Sequence, residues 1–214
     1  MPTAFDLETT LTEAEIVPRI RLTDPDTLLP TTEALQEGGV KVVEIVAHDS
    51  AAFDAITELR KAFPDLVLGA ANVTQIIDLQ SAVDAGAHYA ASPGLTMRLV
   101  DAARRRELPY VPGVYTPSEM LGAREQGIRL VELFPARPAG GPRFFGAMAM
   151  IFPDLRFRAA GGIDDVSFRD YLRCPNVVAV TATWLVPEPA VQAKDWTRIR
   201  DLARTACSRE IVHH

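Results

Sequence analysis

The chain has 214 residues, of which 48% are hydrophobic and 23% are charged, and its formal net charge is −6. These values are typical of one soluble globular domain spanning 1–214; the acidic balance without a basic run argues against nucleic acid as a partner, and no stretch reaches the roughly 20 apolar residues of a membrane span. The 2 cysteines fit neither a disulfide framework nor a metal site, and the acidic N-terminus is not a signal peptide, so a cytoplasmic location is expected.

Short apolar runs alternate with longer helical patterns along the chain, after a short helix predicted at 7–15. Several of the runs are continuously apolar, which is typical of parallel strands covered on both faces. The predicted strands are 16–21, 40–46, 66–71, 87–91, 109–112, 128–134, 155–159 and 177–182.

Helix boundaries support this alternation. Thr116, Pro117 and Glu119 have the spacing of a capped helix N-terminus with a capping box. Gly39 and Gly86 each follow a helical pattern and precede a strand, as expected for glycine at a helix C-terminus. Repeated βα units over about 200 residues predict a (β/α)8 TIM barrel whose bottom is covered by the short N-terminal helix. A doubly wound open sheet is the alternative, but no Gly-x-Gly-x-x-Gly follows the first strand to favour it.

In such a barrel the functional residues lie at the C-terminal ends of the strands. The segments at these ends are similar to those of the 2-keto-3-deoxy-6-phosphogluconate (KDPG) / 4-hydroxy-2-oxoglutarate aldolase family. The resemblance extends over nearly the whole chain. It rests on residues 38–45 (GGVKVVEI), 92–96 (SPGLT), 111–116 (VPGVYT), 127–135 (GIRLVELFP), 160–163 (AGGI) and 183–187 (TWLVP).

The resemblance implies a lyase of carbohydrate metabolism that acts on 2-oxo acids, assembles as a homotrimer and uses Glu44 as its general acid/base. It also implies a Schiff-base lysine in the sixth strand, where this chain has Glu132. A carboxylate cannot form an imine. Other departures also fall at the implied pocket. His48 replaces an arginine, Ala71 with Asn72 replaces a Gly-Thr pair after the third strand, and Ala160 replaces a threonine. Thr181 with Ala182 replaces a glycine pair that cradles phosphate.

No other lysine is expected to take that role. Lys41 is three residues before Glu44 in the second strand and therefore points to the opposite face, because side chains alternate across a strand. Lys61 lies in a helical pattern, and Lys194 lies near the C-terminal helix. We therefore expect chemistry without a lysine Schiff base.

Three interpretations of Glu44 and Glu132 remain open. They bind a divalent ion such as Mg2+ or Mn2+ with substrate oxygens; or one has a raised pKa and transfers protons; or each pairs with an arginine, Glu44 with Arg19 and Glu132 with Arg158. The first interpretation needs a metal, and the other two need no cofactor.

The predicted ligand is a small-molecule carboxylate without phosphate, because arginines suit carboxylate oxygens and the phosphate cradle is altered. The leading hypothesis is a lyase-like or isomerase-like enzyme; the alternative is a non-catalytic pseudo-enzyme of the same fold. His88 is expected to be a structural histidine. The candidate substrate contacts are Arg19, His48, Asn72, Pro93, Phe134, Arg158, Gly161, Gly162 and Thr183.

Overall fold

A computed structural model describes residues 5–208. Its strands form two parallel five-stranded sheets. Two strands are interrupted, at Pro18 and at Pro112, and each of them gives one segment to each sheet. The two sheets therefore close into a ring of parallel strands. In chain order, and numbered first to eighth, the strands are Ile16–Val17 with Arg19–Ile20, Val42–Val46, Val67–Ala71, Tyr89–Ala91, Tyr110–Val111 with Gly113–Val114, Leu130–Leu133, Arg156–Ala159 and Val177–Thr181.

Helices connect the strands, as the pattern predicts. Thr116 accepts a hydrogen bond from the Glu119 N–H, and the Glu119 carboxylate accepts from the Thr116 N–H, which confirms the predicted capping box. Gly39 and Gly86 have φ values of 99° and 81°, so both helix ends use the left-handed conformation. The helices are α1 Leu7–Ala14, α2 Leu28–Glu37, α3 Ser50–Ala62, α4 Ile76–Asp84, α5 Met97–Arg105, α6 Pro117–Glu125, α7 Pro142–Ile151, α8 Phe168–Leu172, α9 Glu188–Gln192 and α10 Trp196–Cys207, with 3-10 turns at Pro25–Thr27 and Thr183–Leu185.

The core has two parts. The larger part lies between the strands and the surrounding helices. The smaller part lies inside the ring, where Val17, Val42 and Val111 meet Leu7 and Leu11 of α1. The predicted N-terminal helix therefore closes the bottom of the barrel interior.

The fifth strand differs from its predicted range, which ended at Pro112. Proline has no N–H to donate, but the strand resumes at Gly113–Val114 and pairs there with the sixth strand. A Cβ at Gly113 would lie 2.3 Å from the backbone carbon and oxygen of Pro93. Gly113, the register partner of Glu132, is thus required by the close approach of the loop that follows the fourth strand.

Within residues 5–208, the helices are all too short or too polar to cross a membrane.

Candidate active site

Four charged side chains meet inside the barrel. Arg19 of the first strand is the register partner of Glu44 of the second, and Glu132 of the sixth is the register partner of Arg158 of the seventh. Because alternate residues of a strand point to the same face, these side chains project inward above the apolar layer of Val17 and its neighbours. We call these four residues the charge cluster.

The cluster is more closely connected than two separate pairs. Arg19 Nε donates to Glu44 Oε2 at 2.8 Å, and its Nη2 donates to Glu132 Oε2 at 3.0 Å. Arg158 Nε donates to Glu132 Oε2 at 2.8 Å, and its Nη1 donates to Glu44 Oε1. The predicted pairs, Arg19 with Glu44 and Arg158 with Glu132, are confirmed. The contacts across the barrel, which join the pairs into one network, were not predicted.

The four members of the charge cluster are almost completely buried. Glu44 and Arg158 are 0% exposed and Glu132 is 1% exposed, whereas the Arg19 side chain retains 8%. Two carboxylates balance two guanidinium groups, so the cluster has no net charge. Removing one partner of such a buried pair leaves a charge without compensation, which is more costly than losing the attraction alone. Arg19 is the member nearest to solvent.

Tyr89 lies beside the charge cluster, on the side of the barrel bottom, and was not predicted from the sequence. Its hydroxyl lies 3.4 Å from Arg158 Nη1, and its ring centroid lies 5.9 Å from the centre of that guanidinium group. A Cβ at the neighbouring Gly69 would lie 2.4 Å from the ring of Tyr89, so glycine makes room for it. The signal was available: a glycine within a buried strand often marks the close approach of another group.

The electrostatics fix the protonation of Glu44. Burial alone would raise the pKa of this carboxyl, but the guanidinium groups of Arg158 and Arg19 outweigh burial and hold the pKa below its usual value. Burial and the neighbouring Glu44 raise the pKa of Tyr89 well above 10. At neutral pH the ligand-free protein therefore holds an ionised Glu44 in the charge cluster and a neutral Tyr89 beside it.

The barrel mouth carries several of the predicted substrate contacts. Asn72 follows the third strand with a φ of 59°, and its Oδ1 accepts from Arg19 Nη1 at 3.4 Å. Pro93 follows the fourth strand and covers Gly113. Phe134 follows the sixth strand, is 38% exposed and packs against Gly161.

The loop after the seventh strand approaches Phe134 closely. Gly161 and Gly162 have φ values of 91° and 78°, and a Cβ at Gly162 would lie 2.7 Å from Arg137 Cβ. Arg137, which sequence analysis did not single out, donates to Asp164 at 3.2 Å. Thr183 is exposed at the start of its 3-10 turn after the eighth strand. These residues form a rim with backbone N–H groups and one paired cation.

Two histidines, His48 and His88, lie away from the charge cluster. His48 is exposed at the start of α3, where it lines an acidic groove between α3 and α4 with Asp49, Asp54 and Asp78. Among residues 5–208, His48 makes no hydrogen bond or ion pair with any member of the charge cluster. His88 precedes the fourth strand at the opposite end of the barrel, and its Nδ1 accepts from the Leu68 N–H at 2.9 Å. The structural role expected for His88 is confirmed.

The lysines lie outside the barrel interior. Lys41, Lys61 and Lys194 are exposed. Lys41 lies before the second strand, at the bottom of the barrel near Cys207. Lys41 therefore lies outside the strand in which it was predicted, but the expectation that it stays away from the barrel interior is confirmed. None of the three amines makes an ion pair with Glu44 or Glu132.

A divalent ion does not suit this donor set. Glu44 and Glu132 already face two guanidinium groups, whose charge a metal ion would have to displace. No group of three or more His, Cys, Asp or Glu residues within residues 5–208 is arranged to hold a metal.

Comparisons with known proteins agree with this architecture. Residues 7–202 match the family profile described as KDPG and KHG aldolase. The chain is 37% identical over 199 residues to a KHG/KDPG aldolase of Escherichia coli K12, covering 93% of each chain. It is 36% identical over 207 residues to a 2-dehydro-3-deoxy-phosphogluconate aldolase of Pseudomonas aeruginosa, covering 97% of this chain and 94% of that one.

Solved structures give the same result. The fold matches a KDPG aldolase of Legionella pneumophila with a TM-score of 0.92 at 33% identity, covering 95% of this chain and 99% of that one. The Legionella protein was solved with pyruvate captured as a covalent carbinolamine. A KDPG aldolase of Zymomonas mobilis matches with a TM-score of 0.90 at 30% identity, covering 97% of this chain and 99% of that one. These neighbours support the barrel fold predicted from the strand pattern.

Proposed function

This chain belongs to the KDPG and KHG aldolase family, and we propose that it acts on a small 2-oxo acid at the barrel mouth without forming a Schiff base. The observation that carries the proposal is the charge cluster. The sixth strand places the Glu132 carboxylate inside the barrel in contact with Arg19 and Arg158. An imine requires a neutral amine near the ketone, and the lysines of this chain lie on its outer surface.

Arg19 is the proposed anchor for the substrate carboxylate. It is the most exposed member of the cluster, and its Nη1 makes only a long contact of 3.4 Å to Asn72. A guanidinium group binds a carboxylate through two parallel N–H donors. Gly161 and Gly162 offer backbone N–H groups at the rim. Thr181 and Ala182 have side chains where glycines would leave room for an oxyanion, which favours a substrate without phosphate.

The proposed chemistry is proton transfer next to the ketone. Retro-aldol cleavage requires a base that takes the proton of the substrate hydroxyl, whose oxygen becomes the aldehyde carbonyl as the carbon–carbon bond breaks. It also requires an acid that later protonates the enolate carbon, and positive charge beside the enolate oxygen. Arg19 supplies the positive charge, and Glu44 supplies the acid/base group once Arg19 turns toward the ligand. The same groups serve an isomerase that moves a proton between neighbouring carbons. The aldolase names of the relatives favour carbon–carbon cleavage.

A non-catalytic, ligand-binding member of the family is the second candidate. It is favoured by one observation: Glu44 is fully buried, and both of its carboxylate oxygens already accept from arginines. In this case the cluster only stabilises the barrel.

Turnover separates the two candidates. We expect the purified protein to convert at least one 2-oxo acid in a panel that includes 4-hydroxy-2-oxo acids, with equal rates with and without Mg2+ or Mn2+. We expect Glu44→Gln to lower kcat at least 100-fold, the usual contribution of a general acid/base. Glu58→Gln, an exposed change on α3, is the matched control and leaves kcat unchanged. Equal kcat for wild type and Glu44→Gln would contradict the role of Glu44, and no turnover across the panel would favour the non-catalytic candidate.

We also propose a cytoplasmic homotrimer, as the family resemblance implies. Exposed apolar side chains on neighbouring helices, Ile77 of α4 and Met97 of α5, suit a contact between copies. A closed cyclic assembly buries the same surfaces on every copy. Light scattering at micromolar concentration is expected to give three times the 23.4 kDa chain mass, and a clean monomer would contradict the proposal.

A further inference from the structure

The two carboxylates of the charge cluster are not equivalent. Glu44 uses both oxygens, Oε1 toward Arg158 and Oε2 toward Arg19. All of the contacts to Glu132 fall on Oε2, which receives Arg19 Nη2 and Arg158 Nε. Within residues 5–208, Oε1 of Glu132 accepts no hydrogen bond. Glu132 is thus the carboxylate with an oxygen able to carry a proton without breaking an existing contact.

Only one of the two cations can be shared with a ligand. Arg158 is 0% exposed and is enclosed by Glu44, Glu132 and Tyr89. Arg19 retains some exposure and faces Asn72 at the mouth. An incoming carboxylate therefore binds to Arg19, which at that moment is partner to three carboxylates instead of two.

Among residues 5–208, the charge cluster makes no ion pair with any further charged side chain, so no other partner is in place to balance the added charge. The remaining strands contribute inward positions without charge at neutral pH: the third Gly69 and Ala71, the fourth Tyr89 and Ala91, the fifth Val111 and Gly113, and the eighth Ala179 and Thr181. At the rim, Arg137 is already paired with Asp164, and His48 lies in the acidic groove. Arg21, two residues beyond Arg19, is exposed and makes no hydrogen bond or ion pair with the cluster. At the bottom of the barrel, Arg156 of the seventh strand pairs with Glu8 of α1. The free cluster is neutral, so a bound carboxylate would leave one buried negative charge without a partner, and this is costly.

We propose that the site takes up one proton with each 2-oxo acid carboxylate, and that Oε1 of Glu132 receives it. The inference rests on the proposed function and deepens it. The proton comes from solvent, and the ligand complex returns to zero net charge: two guanidinium groups, the ionised Glu44 and the ionised ligand carboxylate. Glu132 is then a neutral acid whose O–H is available as a donor, so the complex contains an acid and, in Glu44, a base.

Linkage gives this inference a measurable form. When binding takes up one proton, the Kd rises about tenfold for each pH unit over the range in which the complex holds the proton and the free protein does not. The uptake disappears if the ligand has no carboxylate or if position 132 cannot ionise. Glu132→Gln makes the free cluster net positive, so this variant binds the carboxylate without a proton.

Calorimetric titration tests the inference. Pyruvate is titrated into the wild-type protein at about pH 7.5 in two buffers of different ionisation enthalpy, which gives the number of protons taken up. The titrations are repeated at several pH values between about pH 6 and pH 8. Most other carboxyl groups titrate below this range and stay ionised throughout it. We expect uptake of about one proton by wild type with pyruvate, none with the neutral analogue pyruvamide, and none by Glu132→Gln with pyruvate. Above neutral pH we expect Glu132→Gln to bind pyruvate at least tenfold more tightly than wild type.

The outcomes separate this inference from the proposed function. Pyruvate binding to wild type with no proton uptake and a constant Kd overturns the inference and leaves the 2-oxo acid function standing. Uptake that survives in Glu132→Gln overturns the assignment to Glu132. If Glu132→Gln does not fold, the comparison of pyruvate with pyruvamide on the wild-type protein still decides whether the ligand carboxylate carries a proton with it. Pyruvate that fails to bind at any pH contradicts both.

Discussion

Replacing Glu132 with alanine is expected to lower the free energy of unfolding by about 3–5 kcal/mol, the cost of removing one member of a buried ion pair. Oε2 of Glu132 accepts from both Arg19 and Arg158, and Arg158 has no access to water. The loss is a large part of the roughly 5–15 kcal/mol that stabilises a typical domain. Urea unfolding measures it. Glu125→Ala, an exposed change on α6, is the matched control and is expected to stay within about 0.5 kcal/mol of wild type.

Glu132→Lys extends the same prediction to the family lysine. The new ammonium group would stand beside Arg19 and Arg158 with only Glu44 to balance three cations. We expect this variant to be at least as destabilised as Glu132→Ala and to cleave no KDPG. Activity would require a small residue in place of Arg158 as well. A single Glu132→Lys protein that melts like wild type and cleaves KDPG would show that the charge cluster does not constrain this position.

Much of the fold could be predicted from local sequence. Continuous apolar runs, glycines at helix ends and the capping box at Thr116 identify strands, helices and their order, because each signal depends on only a few neighbouring residues. The end of the fifth strand could not be predicted in this way. Pro112 is normally a reason to end a strand, but pairing on the far side of the proline depends on Glu132, which lies in another strand.

The pairs within the charge cluster followed from strand order, because Arg19 and Glu44 lie on neighbouring strands and so do Glu132 and Arg158. The contacts across the barrel, such as Arg19 to Glu132, depend on the width of the barrel and on how the strands are staggered. No local pattern contains that information. Strand alternation could have predicted that Tyr89 points into the barrel, but it could not have predicted the contact between the Tyr89 hydroxyl and Arg158.

The side-chain direction of His48 could not be predicted from the sequence either. Its place just after the second strand predicts a position near the mouth, but the direction of its side chain depends on how α3 begins. Asp49 caps α3 by accepting from the Ala52 N–H. His48, just before this cap, lines the groove between α3 and α4 together with acidic side chains. Its role in substrate binding stays a prediction.

The most direct test of the central claim is a trapping measurement on the wild-type protein. Pyruvate forms an imine with a reactive lysine, and borohydride reduces that imine to a stable secondary amine, so a Schiff-base enzyme gains one pyruvate-derived group per chain. Lys41, Lys61 and Lys194 are exposed and lie away from the charge cluster, and we therefore expect an intact mass unchanged from that of the untreated protein. A pyruvyl adduct at one group per chain, mapped by peptide mass to any of these lysines, would contradict the account, because it would show that a lysine reaches the substrate ketone after all.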